Sequence, residues 1–287
     1  MGVPKLLQYL GPLLRTTNLY GVAEGKRIGV DGHVWLHQFA YHWAEDIVYH
    51  KNYEPLAREF LQQAQYVLGQ GVEVFFVFDG APTPAKRCTD QERQRRRAVA
   101  LANIMHGSNT DPSAAALRAA VSLGWPAVQA TISVLRKHGI PYLVAPYEAD
   151  SQLALLAKAG HVWAVATVDS DFIIHGIQRI FFRVSWGSGR AAFWDRSLAE
   201  NWQGWPIEDA WKTDFLTILA SCGCGFLTAY TLAASCDYDT KITNVGPAGA
   251  MRACKAVMVV QGESVFADLN VAVPFLADEL KLLSPSK

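Results

Sequence analysis

Six acidic residues carry the types and spacing from which chemistry can be argued. Glu148 and Asp150 are two apart, and so are Asp169 and Asp171. Asp31 and Asp79 each close an apolar run that reads as a strand. In an extended segment residues i and i+2 project to one side, so Asp169 and Asp171 are expected to face one point. Glu148 and Asp150 are expected in the first turn of the next helix, where the dipole favours anions. Helix-terminal acids and a solvated Asp-Ser-Asp turn would account for either pair alone. Four carboxylates drawn together would repel, and a hard divalent cation with oxygen ligands removes the repulsion. The two pairs together with Asp31 and Asp79 favour a metal site.

Lys86 to Arg97 adds six cations: Lys86, Arg87, Arg93, Arg95, Arg96 and Arg97. Only Asp90 and Glu92 offset them. A solvated helix face is the ordinary account of such a run. Here it follows a strand end that carries an acid. An anionic polymer needs cations to approach an acidic metal site, which favours phosphate contact.

These groups need a frame. Lys26–Asp31 reads as a short buried strand, and Val72–Phe78, Ile140–Val144 and Val162–Val168 read as strands. They alternate with helical patterns over His33–Tyr49, Leu56–Leu68, Lys86–Leu101, Ala114–Leu123, Ala127–His138 and Glu148–Ala159. Met105–Pro112 reads as a flexible tip. Ile180–Val184 and Ala191–Trp194 flank Gly187-Ser188-Gly189, which suits a hairpin, and the remainder reads as mainly helical. The alternation predicts an α/β fold with a mostly parallel central sheet flanked by helices. In such sheets sites form beyond the carboxyl ends of the strands.

The chain has 287 residues, is 51% hydrophobic and 18% charged, and has a formal net charge of zero, so it reads as globular. Balanced charge neither invites nor excludes nucleic acid. Five cysteines without a disulfide-like spacing suggest a reducing compartment, and Cys222-Gly223-Cys224 lacks the partners of a zinc site. No apolar run reaches the ~18 residues of a membrane span. The first residues show neither a signal pattern nor, with Leu6 at the sixth position, a myristoylation pattern.

Several of these stretches resemble a known family. Met1-Gly2-Val3-Pro4-Lys5-Leu6-Leu7, Val30-Asp31 and Val77-Phe78-Asp79-Gly80 resemble the N-terminal region of the structure-specific 5′ nucleases, the flap endonuclease and XPG superfamily. Ala145-Pro146-Tyr147-Glu148-Ala149-Asp150-Ser151-Gln152-Leu153-Ala154 and Asp169-Ser170-Asp171 resemble its internal region. Trp35-Leu36-His37, Tyr147–Asp150 and the basic helix are most similar to its eukaryotic exonuclease 1 branch. The resemblance covers most of residues 1–184, weakens through 185–230 and partly returns near 236–257.

The resemblance implies a PIN-like 5′ nuclease core with a helical arch and a helix-two-turn-helix DNA clamp. It implies boundaries at 1–99 (N-terminal region), 100–137 (arch and connection), 138–235 (internal region) and 236–270 (clamp). It implies two Mg2+ per site, with Mn2+ as a substitute and K+ at the clamp. Asp31, Asp79, Glu148, Asp150, Asp169, Asp171 and Asp237 match its metal-site acids, and Lys86 and Arg93 its arch cations at the reacting phosphate. Gly2, His33, His37, Arg95, Arg96, Arg97, Asn244 and Gly246 match DNA-contacting positions. The clamp departs from the family pattern, with Asn244-Val245-Gly246 where a Gly-apolar-Gly hairpin is the rule. The implied activity is metal-dependent 5′→3′ exonuclease action on double-stranded DNA, with 5′ flap endonuclease activity beside it, in repair or replication. Implied partners are DNA with a 5′ end, flap, nick or gap and repair or replication proteins, in the nucleus, with no membrane. A flap endonuclease proper, or a DNA-binding module with weakened catalysis, are the alternatives.

Overall fold

In the computed structural model of the chain, residues 5–83, 87–106, 113–200, 210–234 and 246–283 are described. The strands are β1 (Arg15–Asn18), β2 (Arg27–Asp31), β3 (Glu73–Phe78), β4 (Tyr142–Val144), β5 (Ala164–Thr167), β6 (Arg179–Ser185) and β7 (Arg190–Asp195). The first helices are α1 (Leu6–Tyr9), α2 (Leu19–Val22), α3 (Gly32–Ala40), α4 (Glu54–Gly69), α5 (Arg87–His106), α6 (Ala114–Ala120) and α7 (Trp125–Lys137). Then come α8 (Ala149–Lys158), α9 (Asp171–Ile174), α10 (Arg196–Glu200), α11 (Ala210–Cys222), α12 (Cys224–Ala234), α13 (Pro247–Gln261) and α14 (Leu269–Leu283). Two compact units divide the chain. The first holds Met1–Thr17, Thr167–Val184 and Arg190–Lys287, and the second Asn18–Ala166 and Ser185–Gly189.

The second unit carries the parallel sheet. Its strands lie in the order β5-β2-β3-β4. β2 pairs parallel with β3 and with β5, and β3 with β4. Strands covered on both faces read as continuous apolar runs, and Ile28, Val30, Val74, Phe76, Val77 and Phe78 are all buried. Helix α4 closes one face with Leu56, Phe60, Ala64 and Val67, all buried at helical spacing. Trp35 of α3 packs edge-on against Phe76 at 5.0 Å and Trp186 at 4.6 Å. Helix α8 comes close to β2 because Gly29 has no side chain. A Cβ there would stand 2.7 Å from Leu153 Cδ2 and 3.2 Å from Val162 Cγ2.

The first unit combines β1, β7 and β6, adjacent in that order, with α11–α14. Its core is aromatic: Tyr9 stacks on Phe215 at 5.2 Å, and Phe215, Phe226, Tyr230 and Phe266 are fully buried. Burial and Tyr9 raise the Tyr230 hydroxyl far above the usual tyrosine pKa. Helix α13 starts with Pro247 after an extended Gly246, as expected for proline in a first turn. Among the described residues no helix is long and apolar enough to cross a membrane.

The four strands, the hairpin and the strand–helix alternation stand as read from the sequence, with β4 only half-buried. The expected helix His33–Tyr49 does not: it stops at Ala40, and a π-helical turn follows at Asp46–His50. Just beyond the break Glu59 of α4 accepts from Trp43 Nε1 at 2.6 Å and pairs with His42 Nδ1 at 2.8 Å. The basic helix runs on to His106, so Met105 and His106 of the expected tip Met105–Pro112 are helical, and its residues 107–112 lie outside the described residues.

Candidate active site

In the second unit Asp31 and Asp79 stand at the ends of neighbouring strands, and a hydrogen bond ties Asp79 to the helix start that carries Glu148 and Asp150. Asp31 is the last residue of β2, level with Val77 of β3. Its Oδ1 accepts from the amides of His33 at 2.8 Å and Val34 at 3.2 Å, so the carboxylate caps α3. Asp79 follows β3 directly, and its Oδ1 accepts from the Ala149 amide at 2.8 Å. That bond spans 70 residues and sets Asp79 beside Glu148 and Asp150. Glu148 is the extended residue before α8 and Asp150 lies in its first turn, so the amide dipoles there favour both charges.

The chain after Asp79 is pinned by backbone alone. The Gly80 amide donates to Tyr147 O at 2.6 Å and the Ala81 amide to Pro146 O at 3.0 Å. A Cβ on Gly80 would lie 1.9 Å from Ala145 O, so this approach requires glycine.

His33 stands over Asp79. Its Nδ1 accepts from the Asp79 amide at 3.2 Å and lies 3.3 Å from Asp79 Oδ2. Burial lowers the His33 pKa against the pull of Asp79. A neutral ring that accepts on Nδ1 has no proton there for Oδ2, which leaves that oxygen for a cation. One turn on, His37 is brought down to about 4 by burial, then by Arg97, His33 and Arg93. Arg93 and Arg97 are therefore the α5 arginines whose charge reaches His37. Arg95 and Arg96 are held by Glu92, at 2.9 and 2.8 Å, and these bonds lower the Glu92 pKa to about 2.

Asp169 and Asp171 lie in the first unit, and their expected strand geometry is corrected. β5 ends at Thr167, Ser170 has helical dihedrals, and Asp171 opens α9. The pair is instead joined through a turn. The Asp171 amide donates to Asp169 Oδ1 at 3.0 Å, and the Asp169 amide to Thr167 Oγ1 at 3.1 Å. An aspartate that accepts from the amide two residues on starts a turn and leaves its extended path. Asp171 is buried and Asp169 is not.

Gly2, Lys86, Asp237 and Asn244 lie outside the described residues, whereas Gly246 is exposed before α13. Sequence reading passed over Gly80, the Ala149 amide and Thr167. It also did not separate Arg97 from Arg95 and Arg96, although the i, i+4 spacings of His33/His37 and Arg93/Arg97 carried that signal.

Among the described residues no three His, Cys, Asp or Glu side chains stand together as a finished metal cage. Mg2+ does not need one. It keeps several waters and takes one or two carboxylates plus substrate phosphate. The donors here are carboxylate oxygens, and the Asp79 amide occupies the His33 lone pair that could otherwise compete for a cation, so the set suits a hard divalent ion.

Residues 1–100 match the XPG N-terminal domain and residues 139–206 the XPG I-region. Exodeoxyribonuclease 1 of Schizosaccharomyces pombe is 32% identical over 187 residues, covering 64% of this chain and 33% of the relative, so the chain spans about a third of that protein's length. The catalytic core of Rad2 in complex with DNA substrate superimposes with a TM-score of 0.61 at 19% identity, over 100% of this chain and 82% of the other. The Holliday junction-resolving enzyme GEN1, in complex with product DNA and Mg2+ ion, gives 0.54 at 19% over 100% and 59%. The structural likenesses establish the nuclease-core α/β fold. With both of its signature regions present in order and the strand-end acids on them, the chain belongs to the XPG family.

Proposed function

We propose that the protein is a metal-dependent 5′→3′ exonuclease on double-stranded DNA that also cuts 5′ flaps. The observation that carries this reading is the Asp79–Ala149 bond. It brings the acid after β3 to the helix that presents Glu148 and Asp150, with Asp31 on the adjoining strand. Asp31, Asp79, Glu148 and Asp150 hold Mg2+, with Mn2+ as a substitute, and Asp169, Asp171 and Asp237 serve the same chemistry. The bound ions would supply a hydroxide at neutral pH and Lewis-acid stabilisation of the leaving oxygen. The chain's own residues do the rest. The amides of His33, Val34 and Ala149 fix the carboxylates against rotation. Neutral His33 and His37 add no positive charge beside the acids. Arg93 and Arg97 extend cationic groups from α5 toward that face, and Lys86 and Arg93 neutralise the scissile phosphate as charge builds on it. Arg95, Arg96, Gly2 and the segment around Asn244 and Gly246, with K+ at the clamp, hold the duplex. The substrate has a 5′ end, flap, nick or gap, and the work belongs to DNA repair or replication in the nucleus.

The test is a blunt duplex labelled at one 5′ end, with a flap substrate in parallel, each incubated with Mg2+ or with chelator. Mg2+-dependent release from the 5′ end, lost in Asp79→Asn, is expected. Equal release by Asp79→Asn, or none by the wild type, refutes the reading.

A further inference from the structure

Tyr147 is unaccounted for by the acids and the arch. Tyr147 is 57% exposed although the backbone that carries it is fixed by hydrogen bonds. The backbone beneath it is held on both sides: Tyr147 O accepts from the Gly80 amide, Pro146 O from the Ala81 amide, and Ala149 donates to Asp79. The side chain itself has no ring neighbour or hydrogen bond among the described residues. The chain thus spends a glycine-only contact on rigidly presenting an unpacked aromatic ring one residue before Glu148.

Such a ring has little use in handling phosphate. Its π-face suits a nucleobase, and stacking tolerates any sequence because every base has such a face. Two χ angles carry the ring, so ordering it against a base costs little entropy. Tyrosine's hydroxyl keeps the free surface wettable, whereas the stacked face needs only the ring.

We propose that Tyr147 is a stacking platform for a nucleobase of the DNA strand bound at the carboxylates, gripping that strand beside the bond to be cut. The inference rests on the nuclease reading for its substrate class. Stacking of this kind holds substrate and transition state alike, so it acts on KM and leaves kcat in place.

Tyr147→Ala and Tyr147→Phe are compared on duplexes with a short single-stranded 5′ end. Tyr147→Ala should raise KM about 5- to 150-fold, the range that one stacked base contributes. Tyr147→Phe should stay within about 2-fold because it keeps the ring. An abasic nucleotide is then moved along the strand. At one position it should cost the wild type what Tyr147→Ala costs, and cost Tyr147→Ala nothing further. A loop made loose by the substitution would not give that position-specific loss of coupling. Unchanged KM in Tyr147→Ala, or additive losses at every position, overturns the proposal. Binding provides a readout apart from cleavage. The same strand carrying 2-aminopurine, bound with Ca2+ in place of Mg2+, should be quenched by wild type and Tyr147→Phe but not by Tyr147→Ala. Equal signals for all three proteins overturn the stacking role whether or not the wild type cuts DNA, whereas failed cleavage with selective quenching refutes only the nuclease reading.

Discussion

Replacing Gly80 with alanine is expected to dislodge Asp79 without touching any acid. The added Cβ would stand 1.9 Å from Ala145 O and 2.9 Å from Pro146 O, where real Cβ atoms stay beyond 3.0 Å. Both obstacles are backbone, so the two segments must part by roughly 1 Å, which core-like packing resists. The Gly80 to Tyr147 bond of 2.6 Å and the Ala81 to Pro146 bond of 3.0 Å would then stretch beyond useful length. Each backbone bond contributes about 1 kcal/mol net, and a bond to a charged group about 1.5–3 kcal/mol. Losing both backbone bonds and weakening the bond from Ala149 to Asp79 predicts a loss of about 3 kcal/mol. Gly69→Ala is the control, because a Cβ there meets nothing within 4 Å and the position lies at the exposed end of α4.

Urea unfolding of the two variants measures the global cost, and amide hydrogen exchange at Ala149 reports the local one. Gly80→Ala should unfold at clearly lower urea and lose protection at Ala149, while Gly69→Ala keeps both. If Gly80→Ala stays within about 0.5 kcal/mol of wild type, the level of an ordinary surface change, with Ala149 still protected, the pinned turn does not hold Asp79 and the reasoning fails.

Three further outcomes follow from the same geometry. Asp171→Ala should abolish Mg2+-dependent cleavage while duplex affinity largely survives, because removing an acid weakens metal binding yet relieves repulsion toward phosphate; wild-type turnover at saturating Mg2+ would refute it. His37 titrates at about 4 when folded against an ordinary 6.5, so the unfolded chain binds more protons between those values. Its contribution, at most about 3 kcal/mol at ~1.4 kcal/mol per unit, is full above pH 6.5 and lost as pH falls through 4. The urea midpoint of His37→Gln should accordingly vary less than that of wild type across this window, and parallel curves would refute the burial of His37 against Arg97 and Arg93. Glu92→Gln should release Arg95 and Arg96 and tighten duplex binding, with a salt dependence steeper by about 0.9 for each additional phosphate these arginines neutralise; an unchanged slope means they never reach DNA.

Legibility in the sequence followed the reach of the forces involved. Strand cores such as Ile28–Val30 and Val74–Phe78 announce themselves because burial on both faces demands unbroken apolar runs. The α4 face is equally plain at Leu56, Phe60, Ala64 and Val67. Local polar competition was harder to see. Asp169 diverts its own backbone by accepting from the Asp171 amide, so an apparent strand pair became a turn and a helix start. β1, Arg-Thr-Thr-Asn at the edge beside β7, has no apolar alternation to betray it. The break after Ala40 has neither glycine nor proline to announce it, and Trp43 just beyond it is bound to Glu59 on another helix.

The acids divide along the same line. Their identities were readable from local spacing, but what orients them was not, because it is backbone. Asp31 is set by two amides of its own helix, Asp79 by an amide 70 residues away, and a main-chain amide leaves no mark in a side-chain pattern. Glycine is the exception. Gly80 beside a strand-end aspartate is the trace a close backbone approach leaves in sequence, because any side chain there would collide with Ala145 O. The candidate site is thus an acid pattern hung on a main-chain scaffold, and substitutions of Gly80 should impair it as surely as substitutions of the carboxylates.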